Sequence, residues 1–348
     1  MYSRTMPTMK LALVLPYEGS LAFGEAVELA RHADAAGYDS IWVPEAYGTD
    51  AISILGGLAA STERIRLGTA IVNVFSRTPA LLAQTAATLD LISGGRFVLG
   101  LGTSGHQVIS GWHGVQFVQP IQRMRETVAI VRQVLRRDRL EFHGDVFNLN
   151  QGLKILAHPV RPAVPIFLAT LSPAGLRLTG EVADGWIPTL FSPDHVDVFR
   201  SHLEEGARLA GRSLASLEIA PHAPVLVDDD RAHARDALRP WAALYVGGMG
   251  SRQKNFYNDL VKRYGFAEEA QRIQELYLGG KRLEAIRSVP DALMDAISIA
   301  GPLKYVQERL HAWATAGVTL LLADIQARSQ AERLRTMELL ATAATAVH

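Results

Sequence analysis

The 348-residue chain contains no cysteine, which excludes disulfides, a thiol nucleophile and cysteine-ligated metals together. Net charge is missing too: 35 lysines and arginines balance 35 aspartates and glutamates, with no block of one sign. Nothing therefore points to nucleic acid or an anionic membrane surface, and a small molecule is the expected partner. No apolar run approaches the ~20 residues of a membrane span, and Met1 to Lys10 lacks the hydrophobic centre of a signal peptide. The expectation is a cytoplasmic protein with a loose tail over residues 1–9. No histidine pair has the H-E-x-x-H or another zinc spacing, so no metal is assigned.

What the chain does have is apolar content, 48% of its residues, and a rhythm. Short apolar bursts without polar alternation read as strands at Lys10–Pro16, Ser40–Pro44, Ile65–Val72, Phe97–Leu101, Ile166–Thr170, Gly185–Leu190, Leu217–Val227 and Thr319–Asp324. Runs with helical apolar spacing separate them, at about Gly24–Ala36, Asp50–Ser61, Thr78–Ile92, Gln122–Arg136, Pro173–Ala183, Asp194–Ala210 and Leu303–Ala316, with a last one from Ser329. Glu141–Leu149 reads as a small excursion, and His158–Pro165 is too proline-rich for an element interior. The stretch 247–290 is charged, irregular and helical in parts. Eight strand–helix units predict an α/β fold: a (β/α)8 TIM barrel over residues 10–348, a single domain with an insertion or lid at 247–290 between strands 7 and 8. A doubly wound sheet is the alternative.

In such barrels chemistry gathers where strands run into the following loops. Here those ends carry Tyr17 and Glu18, Glu45 with Tyr47 and Asp50, Asn73, Thr103 to His106, Thr170 with Ser172, Thr189, and His222. The richest is Gly94–Gly114, where a buried strand ends in Gly100, Gly102, Thr103, Ser104 and Gly105. Glycine allows close backbone approach and the hydroxyls add donors, a combination suited to an anion such as phosphate. The three glycines formally match G-x-G-x-x-G. They follow the fourth strand rather than the first, however, and Gly111 and Gly114 break the helix a dinucleotide site needs. Ser104 is one residue out of register with G-x-S-x-G, which argues against a hydrolase elbow.

Five segments in this order, PEAYGTDA (44–51), LGTAIVNVFSRTP (67–79), SGGRFVLGLGTSG (93–105), GWHG (111–114) and ADGWIP (183–188), resemble the bacterial luciferase-like superfamily. Within it the chain is most similar to oxidoreductases that use the deazaflavin coenzyme F420, the group of methylenetetrahydromethanopterin reductase and a glucose-6-phosphate dehydrogenase. The resemblance implies a cofactor at the barrel mouth, against a third-strand bulge of Ala70, Ile71, Val72 and Asn73 with a cis peptide between Ala70 and Ile71. It implies further contacts from Gly102, Thr103, Ser104 and Gly105, and a phosphate loop of Ala169, Thr170, Leu171 and Ser172 ahead of a helix at Pro173. It also implies a homodimer.

The implied chemistry is hydride transfer between the deazaflavin and a small organic substrate. Glu45 matches the acidic residue that family members place beside the ring, and Ala46 stands where some relatives carry a catalytic histidine. His113 or His106 is the remaining proton donor. Blander readings compete: Glu45 as a helix cap or arginine partner, His113 as a loop residue, and Trp42 as packing. Lys254 and Lys281, with Lys262, Arg263 and Arg282, suit either a lid that holds the coenzyme's acidic tail or a solvated helical excursion. Two other functions stay open: an FMN-dependent monooxygenase fed by a separate reductase, and a non-catalytic cofactor-binding protein.

Overall fold

Each apolar burst becomes a strand with little or no exposure, and each following run becomes a helix that covers it. A computed structural model of the chain describes residues 9–17 and 21–345; the expected loose tail up to residue 8 and Glu18 lie outside them. The described residues divide into two compact units, one within 12–187 and 202–218, the other within 9–11, 188–201 and 219–345.

The first unit holds β1 (Lys10–Val14, from its third residue), α1 (Phe23–Ala35), β2 (Ser40–Val43), α2 (Ala51–Ser61), β3 (Arg66–Thr69), β4 (Val72–Asn73), α3 (Pro79–Ser93), β5 (Phe97–Gly102) and α4 (Pro120–Leu135). A hairpin of β6 (Leu140–His143) and β7 (Asn148–Leu153) follows, then β8 (Ile166–Ala169), α5 (Pro173–Val182) and β9 (Gly185–Trp186). Its strands run parallel in the order β9-β8-β5-β3-β2-β1. The helices start where the sequence offers caps: Asp50 accepts from Ser53 N at 2.7 Å, and Thr78 from Leu81 N at 3.2 Å with Pro79 behind it. Gly94, at φ 65°, stops α3.

Large and small residues alternate across this sheet. A Cβ at Gly68 would lie 2.4 Å from the Trp42 ring, and one at Gly185 would lie 2.5 Å from Phe167. Trp42 is fully buried, packs on Phe167 and donates its Nε1 to Ser40 Oγ, so the packing reading holds. Glu126, 2% exposed, fixes the hairpin: its carboxylate accepts from the backbone N–H groups of Asp145, Val146 and Phe147.

After α6 (Asp197–Leu209) and β10 (Glu218–Ile219) come β11 (His222–Val227), α7 (Arg231–Ala243), α8 (Phe256–Arg263), α9 (Ala267–Leu278), α10 (Arg282–Arg287), α11 (Asp291–Ile297), β12 (Ile299–Gly301), α12 (Leu303–Thr315), β13 (Leu320–Ile325) and α13 (Gln330–Thr345). In the second unit the strand order is β13-β11-β12, all parallel. Counted along the chain, β1, β2, β3 with β4, β5, β8, β9, β10 with β11, and β13 correspond to the eight expected strands. The seventh is interrupted around Pro221.

The stretch 247–290 holds α8, α9 and α10 joined by turns, and α7, which the sequence reading does not assign because Pro240 lies inside it, precedes them. Ion pairs explain that helix: Arg231, Arg235 and Arg239 repeat every fourth residue and engage Asp291 and Asp295 on α11. Lys281 lies near Glu284 at 3.7 Å, and Lys254 closes a turn with Ser251. Among the described residues no helix is long and apolar enough to cross a membrane.

Candidate functional site

Three strand ends of the first unit meet in one row. Asn73 of β4 stands opposite Gly102 of β5, and Gly102 stands opposite Ala169 of β8. The implied cofactor segments, 70–73, 102–105 and 169–172, are thereby brought side by side. The third expected strand, β3 with β4, reaches the row through a bulge. Leu67 and Gly68 pair with Phe97 and Val98, yet Val72 and Asn73 pair with Leu101 and Gly102, so the β3–β4 side carries one residue more. The Ala70–Ile71 peptide within it is cis, as the resemblance implied.

Asn73 is 1% exposed, and its amide orientation is fixed by chemistry: Oδ1 accepts from Phe75 N at 3.0 Å and Ser76 N at 2.7 Å. Its Nδ2 is buried with no hydrogen-bond partner. A buried donor left without an acceptor costs about 1–3 kcal/mol, so this atom is a donor that a ligand or a water would satisfy. The hydroxyl of Ser76 is also buried without a partner.

The glycines divide into two kinds. A Cβ at Gly100 would come 1.8 Å from the Thr69 carbonyl oxygen, and one at Gly102 would come 2.9 Å from Ile71 Cδ1. These two are glycine because neighbouring chain already fills the space, which corrects the idea that all three make room for a ligand. Gly105 alone has nothing within 4 Å of its Cβ position. Between them, Ser104 sits in the left-handed region at φ 55°, and Thr103 Oγ1 donates to Ser104 O at 3.3 Å. The loop continues into a π-helical turn, Gln107–Trp112, of the kind often found at functional sites. His113 follows it with its Nε2 buried and unpaired, whereas His106 is exposed against the edge of Phe117.

At the β8 end the Thr170 hydroxyl is spoken for: Thr170 Oγ1 and Thr179 Oγ1 are hydrogen-bonded at 2.7 Å, and Thr170 O accepts from Trp186 Nε1. Ser172 Oγ caps α5 by accepting from Gly175 N, which leaves its proton to donate. Anion binding there would rest on backbone N–H groups and the Ser172 hydroxyl, while Leu171 and Ala169 contribute main chain.

Glu45 is held on every side. Arg77 grips it with both terminal nitrogens, and Ala51 N donates to its Oε2 at 3.0 Å; the side chain is 10% exposed. Arg77 also engages Asp50. The hydrogen bond that Arg77 donates to Glu45 is the main cause raising its guanidinium above the usual range, against its burial. Burial works against the Asp50 carboxylate too, yet Ser53 and the Arg77 charge bring it below the usual range. Glu45 thus takes the cap-and-pair geometry and ties the loop after β2 to the loop after β4. Arg77 is not legible as its partner, since it lies 32 residues away. Beside them Tyr17 accepts from Tyr47 N at 2.8 Å through its hydroxyl.

In the second unit, His222 bridges to Thr189, and its Nε2 lies 3.5 Å from Asp324 Oδ2 with Trp241 at its edge.

The luciferase-like monooxygenase family profile matches residues 9–320. A Mycobacterium tuberculosis protein bearing the name of a coenzyme F420-dependent oxidoreductase is 37% identical over 342 residues, 94% of this chain and 99% of that protein. The 5,10-methylenetetrahydromethanopterin reductase of Archaeoglobus fulgidus is 31% identical, covering 84% of this chain and 86% of its own. In structure, the coenzyme F420-dependent tetrahydromethanopterin reductase of Methanopyrus kandleri superposes with a TM-score of 0.82 at 25% identity, covering 97% of this chain and 98% of the other. The barrel class read from the sequence is the fold of that match.

Proposed function

Since the chain belongs to the luciferase-like monooxygenase family, we propose that it is an oxidoreductase that binds coenzyme F420 across the Asn73–Gly102–Ala169 row and transfers a hydride between it and a small organic substrate. The buried, unpaired Nδ2 of Asn73 carries this reading: it is a donor in want of an acceptor, and the carbonyls of a deazaflavin ring are acceptors. When bound, F420 supplies a ring carbon that gives or takes the hydride. The chain does the rest. Asn73 orients the ring, Gly102, Thr103, Ser104 and Gly105 line its approach, and the backbone before Pro173 meets its phosphate. His113 Nε2 holds the proton that must accompany the hydride, and Glu45 keeps the neighbouring loop in place.

F420 rather than FMN is favoured by the names of the relatives above. A homodimer belongs to the same proposal and rests on the family resemblance. A cytoplasmic location belongs to it too and rests on the sequence alone. The deciding experiment titrates the purified protein with oxidised F420 and, in parallel, with FMN, following fluorescence. Micromolar or tighter binding of F420 alone is expected. A preference for FMN would move the chain to the monooxygenase reading, and binding of neither would undo the proposal.

A further inference from the structure

Thr69 ends β3 where the regular ladder to β5 should continue, and it is fully buried. Its carbonyl oxygen is not available as the partner of Gly100 N, for it lies over the Gly100 α-carbon, 1.8 Å from where a Cβ would stand. The side chain takes over. Thr69 Oγ1 donates to Gly100 O at 2.8 Å and accepts from Gly100 N at 2.8 Å, so one hydroxyl satisfies both backbone groups of the residue opposite. Two residues further along β5, Gly102 pairs with Asn73, and Gly102 O accepts from Val74 N at 3.0 Å. The extra residue of the bulge is thus contained between two fixed points, the Thr69 hydroxyl and the Asn73–Gly102 pair.

We infer that Thr69 is a positioning residue for the cofactor site: its hydroxyl replaces the missing rung between β3 and β5 and so sets the register at which Ile71, Val72 and Asn73 are presented. The inference rests on the F420 reading above. A hydroxyl is required because only a group that both donates and accepts can serve Gly100 N and O together. Valine has the shape of threonine and neither capacity. Serine keeps both.

The test compares wild type, Thr69→Val and Thr69→Ser by F420 titration, by the emission spectrum of bound F420, and by amide hydrogen exchange at Gly100 in the cofactor-free protein. Expected are a Gly100 amide as protected in wild type as its strand neighbours, F420 affinity lowered at least tenfold in Thr69→Val with a shifted spectrum, and affinity within threefold of wild type in Thr69→Ser. A Thr69→Val protein with wild-type affinity and spectrum would overturn the inference, as would a Thr69→Ser loss equal to that of valine. If Thr69→Val does not fold, the serine variant and the wild-type exchange decide, and a Gly100 amide that exchanges at an open-loop rate is against it. Failure of the functional reading looks different: wild type itself then takes up no F420, while Gly100 stays protected.

Discussion

Arg77 holds Glu45 with both ends of its guanidinium fork while the same carboxylate receives the first backbone N–H of α2. Both side chains are largely out of water, at 15% and 10% exposure. Removing Arg77 leaves the Glu45 charge stranded, which costs about 3–5 kcal/mol for a fully buried pair, whereas removing Glu45 leaves Arg77 still engaged by Asp50. Arg77→Met is therefore expected to lower stability by ~2–3 kcal/mol, read as a shifted denaturant midpoint. Glu45→Gln should cost less, and the double variant should cost less than the sum of the two. Additive losses would mean that the pair does not act as a unit.

Asn73→Asp separates two functions of one amide. The aspartate keeps an oxygen for Phe75 N and Ser76 N, so the loop after β4 stays closed. It removes the Nδ2 donor that has no partner. F420 affinity is expected to fall tenfold or more, equivalent to ~1.4 kcal/mol, in a variant that still folds on its two backbone N–H bonds although the buried carboxylate lowers the thermal midpoint. Unchanged affinity in a folded variant would take the ring contact away from Asn73. Asn73→Ala should lose the loop's hydrogen bonds together with affinity.

These two sites show what was legible beforehand. Periodicity and strand breaks are local, so the alternation of elements could be read in order, with helices from about Asp50 and Thr78. Asn73 could be picked out because a polar residue at the end of an apolar strand needs a partner. What joins residues far apart in sequence could not be read. Gly100 looks like ligand-binding glycine until the Thr69 carbonyl is seen above it, and Glu45 looks catalytic until Arg77 is seen around it. Helix α7 is illegible for a related reason, as its arginine face gains meaning only from Asp291 and Asp295.

Glu126 gives a pH-dependent prediction. Burial opposes its charge, but hydrogen bonds from Gln122, Phe147, Val146 and Asp145 outweigh it and hold the carboxyl below its usual value. A depressed folded value means that this stabilisation is complete above the unfolded pKa, ~4.3, and is lost as pH falls through the folded one. Glu126→Gln turns an NH2 group toward backbone donors and should destabilise the protein at neutral pH by about 2 kcal/mol. Its denaturant midpoint should also fall less than that of wild type between pH 5 and pH 3. Parallel decline in both proteins would remove Glu126 from the acid response.

Once a turnover assay exists, His113→Gln tests the proton role. The side chain keeps polar atoms but cannot cycle a proton, so turnover should fall about 100-fold or more with F420 affinity nearly unchanged. Loss of cofactor affinity instead would place His113 in binding.

The glycines of the β5 end rank in a testable order. Alanine at 100 drives a Cβ into a backbone carbonyl at 1.8 Å, and no side-chain rotation relieves a clash with main chain. Gly100→Ala is expected to yield little folded protein. At 102 the obstacle is Ile71 Cδ1 at 2.9 Å, the far end of a flexible side chain, so Gly102→Ala should fold with a thermal midpoint lowered by several degrees. At 105 nothing lies within 4 Å and φ is not positive, so Gly105→Ala should be as stable as wild type. Only in that last variant does a change in F420 titration report directly on the ligand. A weakened titration at unchanged stability would place the cofactor against Gly105, and an unchanged one would move it off this loop, because the free chain offers the new methyl group no other neighbour.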